Sequence, residues 1–248
     1  MANKHLKILF GFFLLLIVGF NLSPLKVKDI TDFWHHVTSK DNPEMRQEHY
    51  SDGSLRSITP YVAGKRQGIA KNYYPNGTLK AEINYDDDKR NGKTTTYYEN
   101  GRPEKIYTYA DDKLNGEAEA YSSDGYLTTR TSFKNNIQTD EEIGYYPNGK
   151  MRYIFHLNDK GQVHGIMQTY YESGRLETET PFVEGNAEGL EQSYYENGNI
   201  KQTVFYVNNM IDGKMQNYDI DGNLSSVHTF SQGKLVSSNG AEEQDLRK

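Results

Sequence analysis

The stretch that decides the fold runs from Lys93 to Gly116, KTTTYYENGRPEKIYTYADDKLNG. A Thr- and Tyr-rich run, Lys93 to Tyr98, leads into Glu99-Asn100-Gly101, and a second Tyr-rich run ends at Asn115-Gly116. Short β-branched and aromatic runs punctuated by Asn-Gly predict strand, hairpin turn, strand, turn. The same turn signal returns with its glycine at Gly53, Gly77, Gly101, Gly125, Gly149, Gly174, Gly198 and Gly222, always 24 residues apart except for 25 between Gly149 and Gly174. A fixed period of that size is the mark of a repeat architecture. The expected fold is all-β, an elongated twisted antiparallel β-meander of about eight 24-residue hairpin repeats. An N-terminal hydrophobic helix and a short amphipathic helix should precede it.

Turn chemistry sets which side chains share a face. Pro75 and Pro147 stand just before Asn-Gly, where they fit a type I turn closed by a left-handed glycine, so three-residue hairpin loops are expected. The residue four before the turn glycine then pairs with the one two after it. The first position holds Tyr73, Tyr97, Tyr121, Tyr145, Tyr170, Tyr194 and Tyr218, and the second Leu55, Leu79, Pro103, Leu127, Met151, Leu176, Ile200 and Leu224. Eight residues after the glycine come Tyr61, Tyr85, Tyr109, Phe133, Leu157, Phe182, Tyr206 and Phe230. Parity along the strand predicts that all three columns line one face. A second tyrosine ladder, Tyr74, Tyr98, Tyr146, Tyr171 and Tyr195, should stand exposed on the other face as a candidate partner-binding row. Asp87 with Asp111 and Asp88 with Asp112 should stack along one rim, as solvated loops or as a docking patch for a basic partner.

The pattern breaks after Asn135-Asn136: Asp140 replaces the second glycine of the repeat, and one residue is gained between Met151 and Gly165. A strand bulge and a bend over residues 135 to 165 are the expected result.

At the N-terminus, Lys4 and Lys7 precede an apolar run, Ile8 to Phe20. The expected organisation is a basic N-terminus (1–7), a signal or anchor segment (8–22), a linker with a short amphipathic helix (23–48), the repeats (49–237) and a polar tail (238–248). The site after the apolar run has no small-x-small cleavage pattern, which favours an uncleaved anchor, with a cleaved signal peptide as the alternative. Either way the repeats are expected outside the cytoplasm, in the periplasm if the chain is bacterial. Ile30, Phe33, Trp34 and Val37 have helical spacing within Asp29 to Ser39. Its expected role is to cover the first hairpin, with membrane or partner binding as alternatives. There is no cysteine, and beyond residue 43 the chain has 31 Asp and Glu against 23 Lys and Arg. An acidic body disfavours nucleic acid and anionic headgroups and points to neutral or basic partners.

The recurring unit, as in Gly92 to Gly101 (GKTTTYYENG), resembles the MORN-repeat variant of bacterial proteins of the YwqK type, catalogued as antitoxin components. The resemblance covers about residues 49 to 237 and implies a non-catalytic sheet used for protein contact, with membrane or scaffold association in related proteins. No P-loop, nucleophile elbow or zinc-protease motif is present, and the seven histidines have no ligand spacing. Neither enzyme nor cofactor nor metal is expected. The expected function is an immunity or antitoxin-like envelope protein; a membrane-anchored scaffold and a glycan- or lipid-binding module are the alternatives.

Overall fold

A computed structural model describes residues 42–240. The expected helices at 8–22 and 29–39, and the polar tail beyond 240, lie outside the described residues. Within them the chain is a single antiparallel sheet in which every strand pairs with its neighbours in sequence. The sheet begins earlier than the repeat signal, with Glu44–His49 as the edge strand against Leu55–Val62. Residues 44 to 48, expected as linker, are therefore strand. At the other end Lys234–Gly240 pairs with Leu224–Ser231, so the sheet also runs past residue 237.

Two kinds of turn alternate. At the first, Gly77 N donates to Tyr74 O at 2.9 Å, Tyr74 N donates to Thr78 O at 2.8 Å, and Gly77 has φ 83°. This is the expected three-residue loop, and the backbone bonds recur around Gly53, Gly101, Gly125, Gly149, Gly174, Gly198 and Gly222. The other turn falls at Asp111-Asp112, not at Asn115-Gly116. Asp111 and Asp112 have φ 48° and 65°, as do Asp87 and Asp88 with 49° and 71°, so both central residues are left-handed, as a two-residue type I′ hairpin requires. Asp and Asn tolerate that region better than other non-glycine residues. Gly116 lies inside the strand Lys113–Tyr121, at φ 110°, where the register with Pro103–Ala110 slips.

The predicted pairs are all present: Tyr73 faces Leu79, Tyr97 faces Pro103, Tyr121 faces Leu127, Tyr145 faces Met151, Tyr170 faces Leu176, Tyr194 faces Ile200 and Tyr218 faces Leu224. The third column is not on their face. Tyr73 pairs with Leu79 but Asn72 pairs with Ala81, leaving Lys80 as an extra residue. One added residue moves everything beyond it to the opposite side. Tyr85 therefore lies with Ala81, Ile83 and Ala70, and the row Tyr61 to Phe230 occupies the face opposite Tyr73. We call these the Tyr73 face and the Tyr85 face. Val204 and the alanines Ala70, Ala81 and Ala118, all below 9% exposed, belong to the Tyr85 face.

In the irregular repeat Ile137–Tyr145 slips in register against Leu127–Lys134 between Thr139 and Glu142, the expected strand bulge, and the regular repeats carry the same slip. Asp140 takes φ 63° where other repeats have glycine. The extra residue enlarges a turn: Gly161 N donates to Asn158 O and Asn158 N to Gln162 O, both at 2.9 Å, which is a three-residue loop in place of a two-residue one.

Candidate binding surface

Each member of the second tyrosine ladder sits at the mouth of a three-residue hairpin and reaches across to the next repeat. The hydroxyl of Tyr74 donates to Tyr97 O at 2.7 Å, Tyr98 to Tyr121 O at 2.8 Å, Tyr146 to Tyr170 O at 2.7 Å, Tyr171 to Tyr194 O at 2.7 Å and Tyr195 to Tyr218 O at 2.9 Å. Tyr50 extends the ladder one repeat back, donating to Tyr73 O at 2.7 Å. The rings are half-buried, not the exposed row expected. The acceptor carbonyl belongs to the last residue of its strand, and the hydroxyl gives it a donor. Over three of these rings stands the cation of the bulge residue: Lys80 over Tyr74 at 5.3 Å, Arg152 over Tyr146 at 6.0 Å and Lys201 over Tyr195 at 5.8 Å.

The acidic rim is likewise committed internally. Asp88 Oδ1 accepts from Arg66 N at 2.8 Å and Arg66 Nε at 3.2 Å, and Asp112 repeats this with Arg90 at 3.0 and 2.9 Å. Lys65 pairs with Asp87, and Lys89 with Asp111 at 2.9 Å. These hydrogen bonds, with smaller Coulomb contributions from the arginines, lower the Asp88 and Asp112 carboxyls below the usual value. The four aspartates do stack at one rim, and each meets a cation of the preceding repeat.

Cations and aromatics meet on the Tyr85 face. The guanidinium of Arg46 lies 3.9 Å from the Tyr61 ring centroid, Arg66 4.1 Å from Tyr85, and Arg90 4.2 Å from Tyr109. Across this end of the sheet a groove of about 390 Å³ opens, lined by Ser57, Tyr61, Ala70, Asn72, Ile83 and Tyr85, with Tyr50, Arg56, Arg66 and Lys80 beside them. No sequence motif marks it. Of the Lys-Arg pairs at 65–66 and 89–90, in register with the repeat, only Arg66 lines it.

Midway along the same face, Gly144 opposes Tyr153, and a Cβ there would meet the ring at 2.2 Å. The ring lies across the glycine, stacked on Phe155 at 5.9 Å, and its hydroxyl donates to Glu142 Oε1 at 2.7 Å. Gln138 Nε2 holds the other Glu142 oxygen at 2.6 Å. Burial, then the Glu142 hydrogen bond, push the Tyr153 phenol up to about 12. Among the described residues no three His, Asp or Glu side chains converge as metal ligands.

Five segments, 66–87, 90–111, 141–159, 163–184 and 187–208, match the family described as MORN repeat variant. These five segments are similar to MORN repeats. No curated protein matches it. Among solved structures it is similar to TarM at 12% identity and TM-score 0.23, over 64% of this chain and 25% of that one. An S. aureus TarM mutant in complex with Fondaparinux, alpha-GlcNAc-glycerol and UDP has 13% identity and TM-score 0.21, over 73% and 23%. The chain spans about a quarter of the length of those solved chains.

Proposed function

We propose that this chain is a non-catalytic binding protein whose repeat sheet holds a protein partner, most concretely an immunity or antitoxin-like protein that covers the active surface of an envelope-acting toxin. The observation that carries the binding reading is the Tyr85 face. It sets one aromatic or apolar side chain per repeat, Tyr61 to Phe230, in register along an uninterrupted sheet. A repeated row of this kind supplies rigid anchors to a long partner at low entropic cost. The similarity to MORN repeats supports the same reading. The envelope location rests on the apolar run Ile8 to Phe20 behind Lys4 and Lys7, as membrane anchor or signal.

The test is isolation of the full chain, tagged at its C-terminus, from native membranes. Wild type is compared with Tyr85→Ser/Tyr109→Ser, and with Tyr98→Phe as a control in the internal ladder. One dominant protein, lost only with the serine pair and toxic when produced without this chain, is the expected result. Several co-purifying proteins with no toxicity would instead assign a scaffold subunit. Recovery of the same proteins with the serine pair would overturn binding through this face.

A further inference from the structure

The groove at the amino-terminal end of the Tyr85 face has a charge opposite to that of the chain as a whole. Three cations, Arg56, Arg66 and Lys80, line it with one carboxylate, Glu48, in a chain of net charge −6. Arg66 is bound to Asp88, whereas the ion pairs among the described residues include neither Arg56 nor Lys80. Both are exposed, and both are the residue that follows the hairpin leucine, Leu55 opposite His49 or Leu79 opposite Tyr73. At the same position the next repeats carry Glu104 and Thr128. The two adjacent cations therefore occur at this end alone, over the groove.

We infer that this groove takes an acidic peptide segment of the partner, with two carboxylates about 10 Å apart and an apolar residue between them. The spacing follows from the fold: Arg56 and Lys80 stand on strands two apart, and neighbouring strands are separated by roughly 4.8 Å. In a polyproline II segment, with three residues per turn and a rise of about 3.1 Å per residue, acids at i and i+3 lie along one edge and match it. The floor suits the residue between them. Ala70 and Ser57 are small and buried, Ile83 and the Tyr61 and Tyr85 rings offer apolar contact, and Asn72 offers a hydrogen bond. A guanidinium at Arg56 presents paired N–H donors that match a carboxylate. A recess of about 390 Å³ across a sheet is large enough to admit a short chain segment. The inference rests on the proposed binding of a protein partner and names the chemistry of its contact.

Full-length protein is titrated with fluorescein-labelled 12-residue peptides bearing Glu at two positions three apart with Leu and Tyr between them, and with the same peptides carrying Lys for Glu. A sulfated oligosaccharide is the third probe. The Glu peptide should bind at least tenfold tighter than the Lys peptide. Arg56→Glu/Lys80→Glu should weaken it at least tenfold and favour the Lys peptide, while Arg152→Glu/Lys201→Glu, the same change outside the groove, should alter affinity less than twofold. Equal binding of both peptides, or indifference to the groove reversal, would overturn the inference. So would oligosaccharide binding that the reversal abolishes without any peptide binding, which would assign an anionic glycan instead. A membrane partner lost with Tyr85→Ser/Tyr109→Ser but unaffected by the reversal refutes the acidic contact and leaves the protein-binding function standing.

Discussion

Replacing Tyr98 by Phe removes one hydroxyl and leaves the Tyr121 carbonyl without its side-chain donor. Such a bond contributes about 1 kcal/mol net, so Tyr98→Phe should lower unfolding free energy by about that much in urea titrations while leaving partner binding unchanged. Gly144 is the more severe position. Gly144→Ala puts a methyl into the Tyr153 ring and must displace a ring held by Phe155 and Glu142, which should cost about 1–3 kcal/mol. Adding Tyr153→Ala should recover part of that loss, and the coupling in the double-mutant cycle is the measurement. Tyr153 also sets an alkaline limit. Its folded pKa of about 12 exceeds its ordinary value of 10, so its contribution is complete below pH 10 and is lost as pH rises from 10 toward 12. Tyr153→Phe should make the decline in stability over that window shallower.

At the scale of the turn, the recurring device is an Asp or Asn whose side chain reaches back one repeat. Asp88 and Asp112 accept from Arg66 N and Arg90 N, and Asn136 and Asn209 accept from Leu114 N and Ala187 N at 2.8 and 2.7 Å. What these residues share is a side-chain carbonyl oxygen and tolerance of a left-handed backbone, not a negative charge. Asp112→Asn should therefore leave the melting temperature within a few degrees. Asp112→Ala, which loses the acceptor and forces alanine to φ 65°, should lower it clearly. The lowered pKa of Asp112 means that any charge contribution is present above about pH 4 and disappears as pH falls below it; in the Asn variant that acid dependence should weaken. The rim was visible in the sequence as an aspartate cluster, but its partners Lys65, Arg66, Lys89 and Arg90 stand 22 residues earlier. Nothing in local sequence says that a charge is already spent on the neighbouring repeat.

Across the whole sheet, every strand is held by its neighbours in sequence, so stability accumulates repeat by repeat. Deleting residues 78–101, one full period between equivalent turn glycines, should leave a folded β protein two strands shorter. Its urea m-value should fall by about an eighth, since m follows the surface exposed on unfolding. Loss of all β-structure in that deletion, measured by circular dichroism, would contradict a nearest-neighbour sheet. The two ends differ. Glu44–His49 is rich in charge, whereas Lys234–Gly240 exposes Leu235 and Val236 at 57% and 66%.

The sequence by itself determined the period, the all-β class, the three-residue hairpins and the pairing of Tyr73 with Leu79 and its equivalents. All of these follow from turn chemistry acting over a few residues, where Pro, Asn and Gly restrict the backbone directly. Only the tertiary structure decided which face carries the Tyr61 to Phe230 row, because the bulge residues that switch it, such as Arg56, Lys80, Glu104 and Thr128, share no residue type. A one-residue bulge is a property of two strands pairing, and its consequence reverses every side chain beyond it. The same holds for the tyrosine ladder and the aspartate rim. Their partners are backbone and side-chain groups about one repeat away, brought within hydrogen-bonding distance only when the sheet closes the 24-residue spacing to that of adjacent turns.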